Sequence, residues 1–144
     1  MARTGIFTER LERCGAELKN IYGELYHDGE RYEQLLELMK EYHTKRSAAL
    51  KALDREREER PDWYRESRML GMTMYPKLFA GGLKGLMEKL DYLSEQGITY
   101  LHLMPLLKMP HPHNDGGYAV EDFRTVDGEI GTNPELAELT GELR

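Results

Sequence analysis

The chain has 144 residues, 40% hydrophobic and 32% charged, with a formal net charge of −6. A mean hydropathy of −0.69 leaves room for one modest core and no membrane-length apolar run. The charge is uneven, with 12 basic and 13 acidic residues over 1–60 against 8 and 13 over 61–144; the acidic second half repels phosphate backbones and anionic lipid heads, which argues against nucleic-acid and membrane-surface partners and suits a neutral, hydroxyl-rich ligand.

The first ten residues contain no apolar stretch of signal-peptide length, and Cys14 is the single cysteine. The expectation is a reducing compartment, the cytoplasm, with Cys14 as a small buried hydrophobe. From Phe7 the apolar residues Leu11, Cys14, Leu18, Ile21 and Leu25 follow at steps of four and three, which predicts a helix ending near His27-Asp28-Gly29. Tyr32, Leu35, Leu36, Met39, Tyr42, Ala49, Leu50 and Leu53 repeat the spacing, predicting a second, antiparallel helix, and a break near Thr44 is compatible with the pattern. The run from Asp54 to Arg60 alternates in charge and reads as that helix's solvated end.

Pro61 disfavours helical geometry in the residue before it, and Asp62 offers a cap for the turn at Trp63-Tyr64, so the domain boundary falls here. Trp63 and Tyr64 are expected to anchor the linker by packing. A short strand at Met72-Thr73-Met74-Tyr75, a loop over 76–82, and a helix with Leu83, Leu86, Met87, Leu90 and Leu93 on one face come next. Gly97 suits the position past that helix, and residues 98–104 then read as a strand ending at Pro105. Strand, helix, strand is the βαβ unit of a parallel sheet, and such a unit alone cannot bury both faces.

Residues 106–131 are too rich in His, Pro, Gly and Asp for a regular element and read as a long functional loop. Asn133 then caps a helix with Pro134 at its first position and Leu136 and Leu139 on its inner face. Within the loop, Asp115-Gly116-Gly117-Tyr118 combines a carboxylate that accepts hydroxyl hydrogen bonds, two glycines that permit a sharp turn, and a ring that can stack on a sugar face. Alone, the same group also reads as a turn with a packed tyrosine. His111-Pro112-His113 with Asp115 invites a zinc reading, but four ligands are wanted and no second cluster follows, so no metal is expected. His102 is left with two roles, facing a barrel lumen or hydrogen-bonded in a core, and Arg124 is expected to pair with an acid such as Asp127.

Over residues 63–132 the chain resembles the start of the catalytic barrel in amylosucrases and related family 13 glycoside hydrolases, the α-amylase superfamily. The resemblance is carried by Met69-Leu70-Gly71, Leu78-Phe79-Ala80-Gly81, Leu83-Lys84-Gly85-Leu86, Gly97-Ile98-Thr99-Tyr100-Leu101-His102-Leu103-Met104-Pro105-Leu106, Asp115-Gly116-Gly117-Tyr118-Ala119-Val120 and Val126-Asp127. The preceding Ala52-Leu53-Asp54-Arg55-Glu56-Arg57-Glu58 and Pro61-Asp62-Trp63 also look like the end of the helical N-terminal domain of amylosucrases.

The resemblance implies an α/β fold: a helical N-terminal domain over 1–60, then over 61–144 the first βαβ portion of an incomplete (β/α)₈ barrel, cut in the second barrel helix. It implies that Tyr118 stacks on a glucose ring and that Asp115 closes the pocket floor by pairing with an arginine from later in the barrel. The parent reaction would be retaining glucosyl transfer from sucrose to a growing α-glucan, with water as the alternative acceptor and no cofactor. Such transfer needs two carboxyl groups about 5–5.5 Å apart; the resemblance places nucleophile and acid/base beyond Arg144, so this chain by itself is expected to be inactive. Another family 13 α-glucosidase or α-amylase-type enzyme is the rival reading, and a non-catalytic helical interaction module the rival from another class. Self-association through the open barrel edge is a further expectation.

Overall fold

The computed structural model describes residues 5–144, and the chain divides into two compact units, Met1–Pro61 and Asp62–Arg144. The first holds three helices among its described residues, α1 (Ile6–Tyr26), α2 (Gly29–Lys45) and α3 (Ala48–Glu59). His27, in the left-handed region at φ 51°, ends α1, and the Asp28 carboxylate accepts the Arg31 N–H at 3.0 Å to start α2. Phe7 meets His43 while Tyr22 meets Tyr32, so the two helices run antiparallel. The break from α2 to α3 falls at Arg46-Ser47, where Arg46 is extended, Ser47 caps α3, and the Arg46 guanidinium bridges forward to both oxygens of Asp54 at 2.6 and 2.7 Å. Glu58 returns α3 to α1 by accepting from Arg10 and Arg13.

The contact face of α1 keeps Phe7, Leu11 and Leu18 of the expected stripe, which are half-buried, but departs from it elsewhere: Cys14, Ile21 and Leu25 are exposed, whereas Gly15 and Tyr22 are half-buried, and the Gly15 carbonyl accepts the hydroxyl of buried Tyr32 at 3.2 Å. A glycine lets the tyrosine approach the backbone, and that contact outweighs the apolar periodicity. Cys14 is therefore a surface thiol.

The second unit opens with a single 3₁₀ turn at Trp63–Arg65; Asp62 makes no side-chain cap there and pairs with Arg65 instead. Strands β1 (Gly71–Met74) and β2 (Tyr100–Leu103) then pair in parallel, Gly71 opposite Tyr100 and Met74 opposite Leu103. The crossover contains α4 (Pro76–Ala80), α5 (Leu83–Met87) and α6 (Leu90–Glu95). The expected loop over 76–82 is thus partly helical, since Pro76 is tolerated in a first turn, and the expected single helix is split where the Lys89 N–H bonds back three residues to Leu86. Gly97, at φ 73°, supplies the turn into β2.

Met74, Leu83, Leu86, Leu93, Val126, Ile130 and Leu139 form the core, with Met72, Leu101 and Leu103 packed against it. Side chains alternate across a strand, so Thr73, Tyr100 and His102 fall on the other face and are exposed. His102 is accordingly exposed on the face away from this core and is not a core histidine of the unit.

Residues 106–131 are more regular than their composition suggests. β3 (Leu107–Lys108) and β4 (Asp122–Val126) form an antiparallel pair with a bulge between Leu107 and Lys108. The last helix, α7 (Asn133–Glu142), is capped by Thr132 and not by Asn133: the Thr132 hydroxyl accepts from the Glu135 N–H and the Glu135 carboxylate accepts from the Thr132 N–H. Asn133 is diverted to β4, accepting from the Val126 N–H and donating to the Arg124 carbonyl, each at 2.8 Å.

Candidate functional site

Both parallel strands end at one rim, β1 running into Tyr75-Pro76 and β2 into Met104-Pro105. A cleft of about 190 Å³ opens there, lined by Tyr75, Pro76, Met104, Pro105, Asn114 and Gly116 among others. The C-terminal edge of parallel strands is where an α/β barrel assembles its active site from loops.

The loop after β2 carries the expected pair. Asp115 is exposed, and its Oδ1 accepts the Ala119 N–H at 2.8 Å, closing a turn around Tyr118. Tyr118 is 73% exposed, and an exposed tyrosine can present a ring face to a ligand. Gly116 and Gly117 take φ of 85° and 88°, a region costly for residues with a Cβ. At Gly117 a Cβ would also collide with Pro105 and crowd the Met109 sulfur, so the backbone beside Tyr118 is wedged against the end of β2. Asn114 braces the turn by accepting the Gly116 N–H at 2.9 Å and donating to the Pro110 carbonyl at 3.2 Å.

Beneath the loop lies Asp127, 1% exposed. Its Oδ2 accepts from His111 Nε2 at 2.9 Å and the Met109 N–H at 3.3 Å, and its Oδ1 accepts the Glu129 N–H at 3.0 Å. Burial pushes the carboxyl pKa up, but the bonds from His111, Glu129 and Met109 outweigh it and hold the group below its ordinary range, so it is ionised at neutral pH. The expected Arg124–Asp127 pair is replaced by His111–Asp127; Arg124 instead offers its backbone N–H to Asp122.

His111, Asp127 and Glu129 have donor atoms within 4.8 Å of one another, the spacing of a metal site. Their partners fit a hydrogen-bonded cluster better: the Lys77 ammonium lies 2.7 Å from Glu129, holding its pKa down, and the Asp127 oxygens already take three N–H groups. The His113 and Asp115 of the sequence-based metal set do not join the cluster, because His111 turns down to Asp127. Nothing in residue spacing pointed to Asp127 as a hub; the signal was a lone acid following an apolar β residue, which is common at turns.

Residues 20–144 match the family described as alpha amylase, catalytic domain. That match covers most of the chain, and the chain belongs to the alpha-amylase family, the family 13 glycoside hydrolases. Its second unit is a partial (β/α)₈ barrel. The chain is 34% identical over 88 residues to the oligo-1,6-glucosidase of Bacillus cereus and 32% identical over 88 residues to that of Heyndrickxia coagulans, in each case covering 56% of this chain and 15% of the relative. Among solved structures it resembles the trehalose-6-phosphate hydrolase of Bacillus licheniformis at 30% identity and a TM-score of 0.49, over 56% of this chain and 15% of the other. It likewise resembles the trehalulose synthase of Pseudomonas mesoacidophila at 34% identity and a TM-score of 0.47, over 53% and 15%. The chain thus spans about 15% of the length of the curated relatives it matches.

Proposed function

We propose that this chain supplies one wall of the glucosyl pocket of an amylosucrase-like α-transglucosidase acting on sucrose, with Tyr118 stacking on the glucose ring and Asp115 binding its hydroxyls. The observation that supports this is a glycine-built turn on which Asp115 and Tyr118 are exposed; its Asn114 and Gly116, though not Asp115 or Tyr118 themselves, line the cleft at the C-terminal rim of two parallel strands. The helical unit before the barrel strands and the motifs at Ala52-Leu53-Asp54 and Pro61-Asp62-Trp63 favour amylosucrase over its relatives. The curated relatives, oligo-1,6-glucosidases, favour a second reading in which the donor is an α-1,6-linked glucoside. Both readings share an α-glucosyl unit at Tyr118.

Retaining transfer draws its two carboxyl groups from the ends of several barrel strands, and the parallel sheet here has two strands among the described residues. The 144-residue chain is expected to bind weakly and to release no fructose from sucrose. Saturation-transfer NMR with sucrose and isomaltose tests the site: transfer to the glucosyl protons should fall several-fold in Tyr118→Ala, since a stacked ring contributes about 1 kcal/mol. Equal transfer in wild type and variant would sink the reading, and preference for one donor would choose between the two enzymes.

A further inference from the structure

We propose that Asp127 is a positioning residue for the saccharide wall, holding the turn that bears Asp115 and Tyr118 through Met109, His111 and Gly117. The inference deepens the function proposed above and rests on it for the word saccharide.

A carboxylate that is 1% exposed is costly to bury unless its lone pairs are satisfied, and here donors come from both sides of the loop. Met109 and His111 belong to its start, Glu129 to the turn after β4, and the Asp127 N–H adds a bond to the Leu106 carbonyl at 3.0 Å. One side chain therefore ties together the two ends of residues 109–126. Gly117 stands beside this anchor: Met109 is buried, and a Cβ added to Gly117 would come within 3.2 Å of its sulfur. Gly117 precedes Tyr118, and Asp115 closes the turn on Ala119. Asp127 bonds to Met109, His111 and Glu129 and not directly to Asp115 or Tyr118, so its action is indirect.

The charge matters as well as the shape. An ionised carboxylate only accepts, so the hydrogen in its bond to His111 sits on Nε2. Three N–H groups converge on two oxygens, and an asparagine would turn its own NH₂ against one of them.

The experiment uses the whole ¹⁵N-labelled chain, comparing Asp127→Asn, His111→Ala and His111→Gln by amide exchange, with ¹⁵N shifts of the His111 ring read in the wild type. The wild-type ring should show the Nε2–H tautomer. In Asp127→Asn, exchange at Met109, Gly116 and Ala119, whose N–H groups are bonded to Asp127, Asn114 and Asp115, should rise about tenfold or more, as loss of a charge-assisted bond requires, while Met74 and Leu103 keep their protection. His111→Gln, which places an amide nitrogen near the lost Nε2, should restore what His111→Ala loosens. Unchanged exchange at Gly116 and Ala119 in Asp127→Asn overturns the proposal. If Asp127→Asn loses the fold of the unit, the histidine pair decides it: equal loop exchange in the two variants overturns it. Titrating wild type with sucrose and isomaltose is read separately. A Tyr118 resonance indifferent to both sugars rejects the saccharide reading while the exchange data still decide the hold of Asp127 on the loop.

Discussion

Gly116 and Gly117 look alike in sequence and differ in their surroundings. Both sit at positive φ, 85° and 88°, but a Cβ on Gly116 would have the edge of Tyr118 at 4.0 Å as its nearest neighbour, whereas one on Gly117 would enter Pro105. Gly116→Ala should cost about 1 kcal/mol for the left-handed backbone alone, and Gly117→Ala about 2–4 kcal/mol because overpacking adds to it. Urea unfolding followed by the fluorescence of Trp63, the single tryptophan, measures both, and equal costs would show that the wedge against β2 is unimportant. That the turn needs glycine was legible in the Asp-Gly-Gly-Tyr pattern. Which glycine is jammed was not, because the obstacle, Pro105, arrives from a strand end twelve residues away in sequence.

At the scale of elements, the helical spacing in 83–93 and 133–142 and the apolar run at 98–104 were readable because each is a local pattern that one face of an element must bury. Boundaries were harder. The sequence pattern points to Asn133 as the cap of α7, but the cap is Thr132, because Asn133 is drawn away by backbone groups of β4. Thr132→Ala should therefore destabilise the second unit by about 1 kcal/mol, and Asn133→Ala by more, since it leaves a half-buried Val126 N–H without its acceptor. Thermal melts of the two variants check the order; a larger loss at Thr132 would contradict it. The β3–β4 pair was missed for a related reason: Leu107-Lys108 is too short to show alternation, and its pairing with Val126 and Asp122 is a long-range event.

For the whole molecule, the chain divides at Pro61 and Asp62, and each unit carries its own exposed apolar groups. In the second unit, β1 and β2 each have one partner among the described residues, and Tyr75, Leu78 and Tyr100 are large and exposed near the strands or their rim. A two-stranded sheet with free edges recruits further strands. The isolated chain is expected to self-associate, with a sedimentation coefficient that rises with concentration and is little changed by salt, and Tyr100→Lys should reduce the effect. A concentration-independent monomer would refute it.

The sequence by itself determined the parallel βαβ unit, the division near Pro61 and the acid–glycine–tyrosine loop, because these rest on local periodicity, on proline's effect on its neighbour and on a contiguous motif. Only the tertiary structure decided which face of α1 is buried, which residue caps α7, and that His111 answers to Asp127 and not to His113 or Asp115. Those outcomes turn on donors and acceptors brought together from different elements, Tyr32 with Gly15, Asn133 with β4 and His111 with buried Asp127, and satisfying them outweighs preferences written in neighbouring residues.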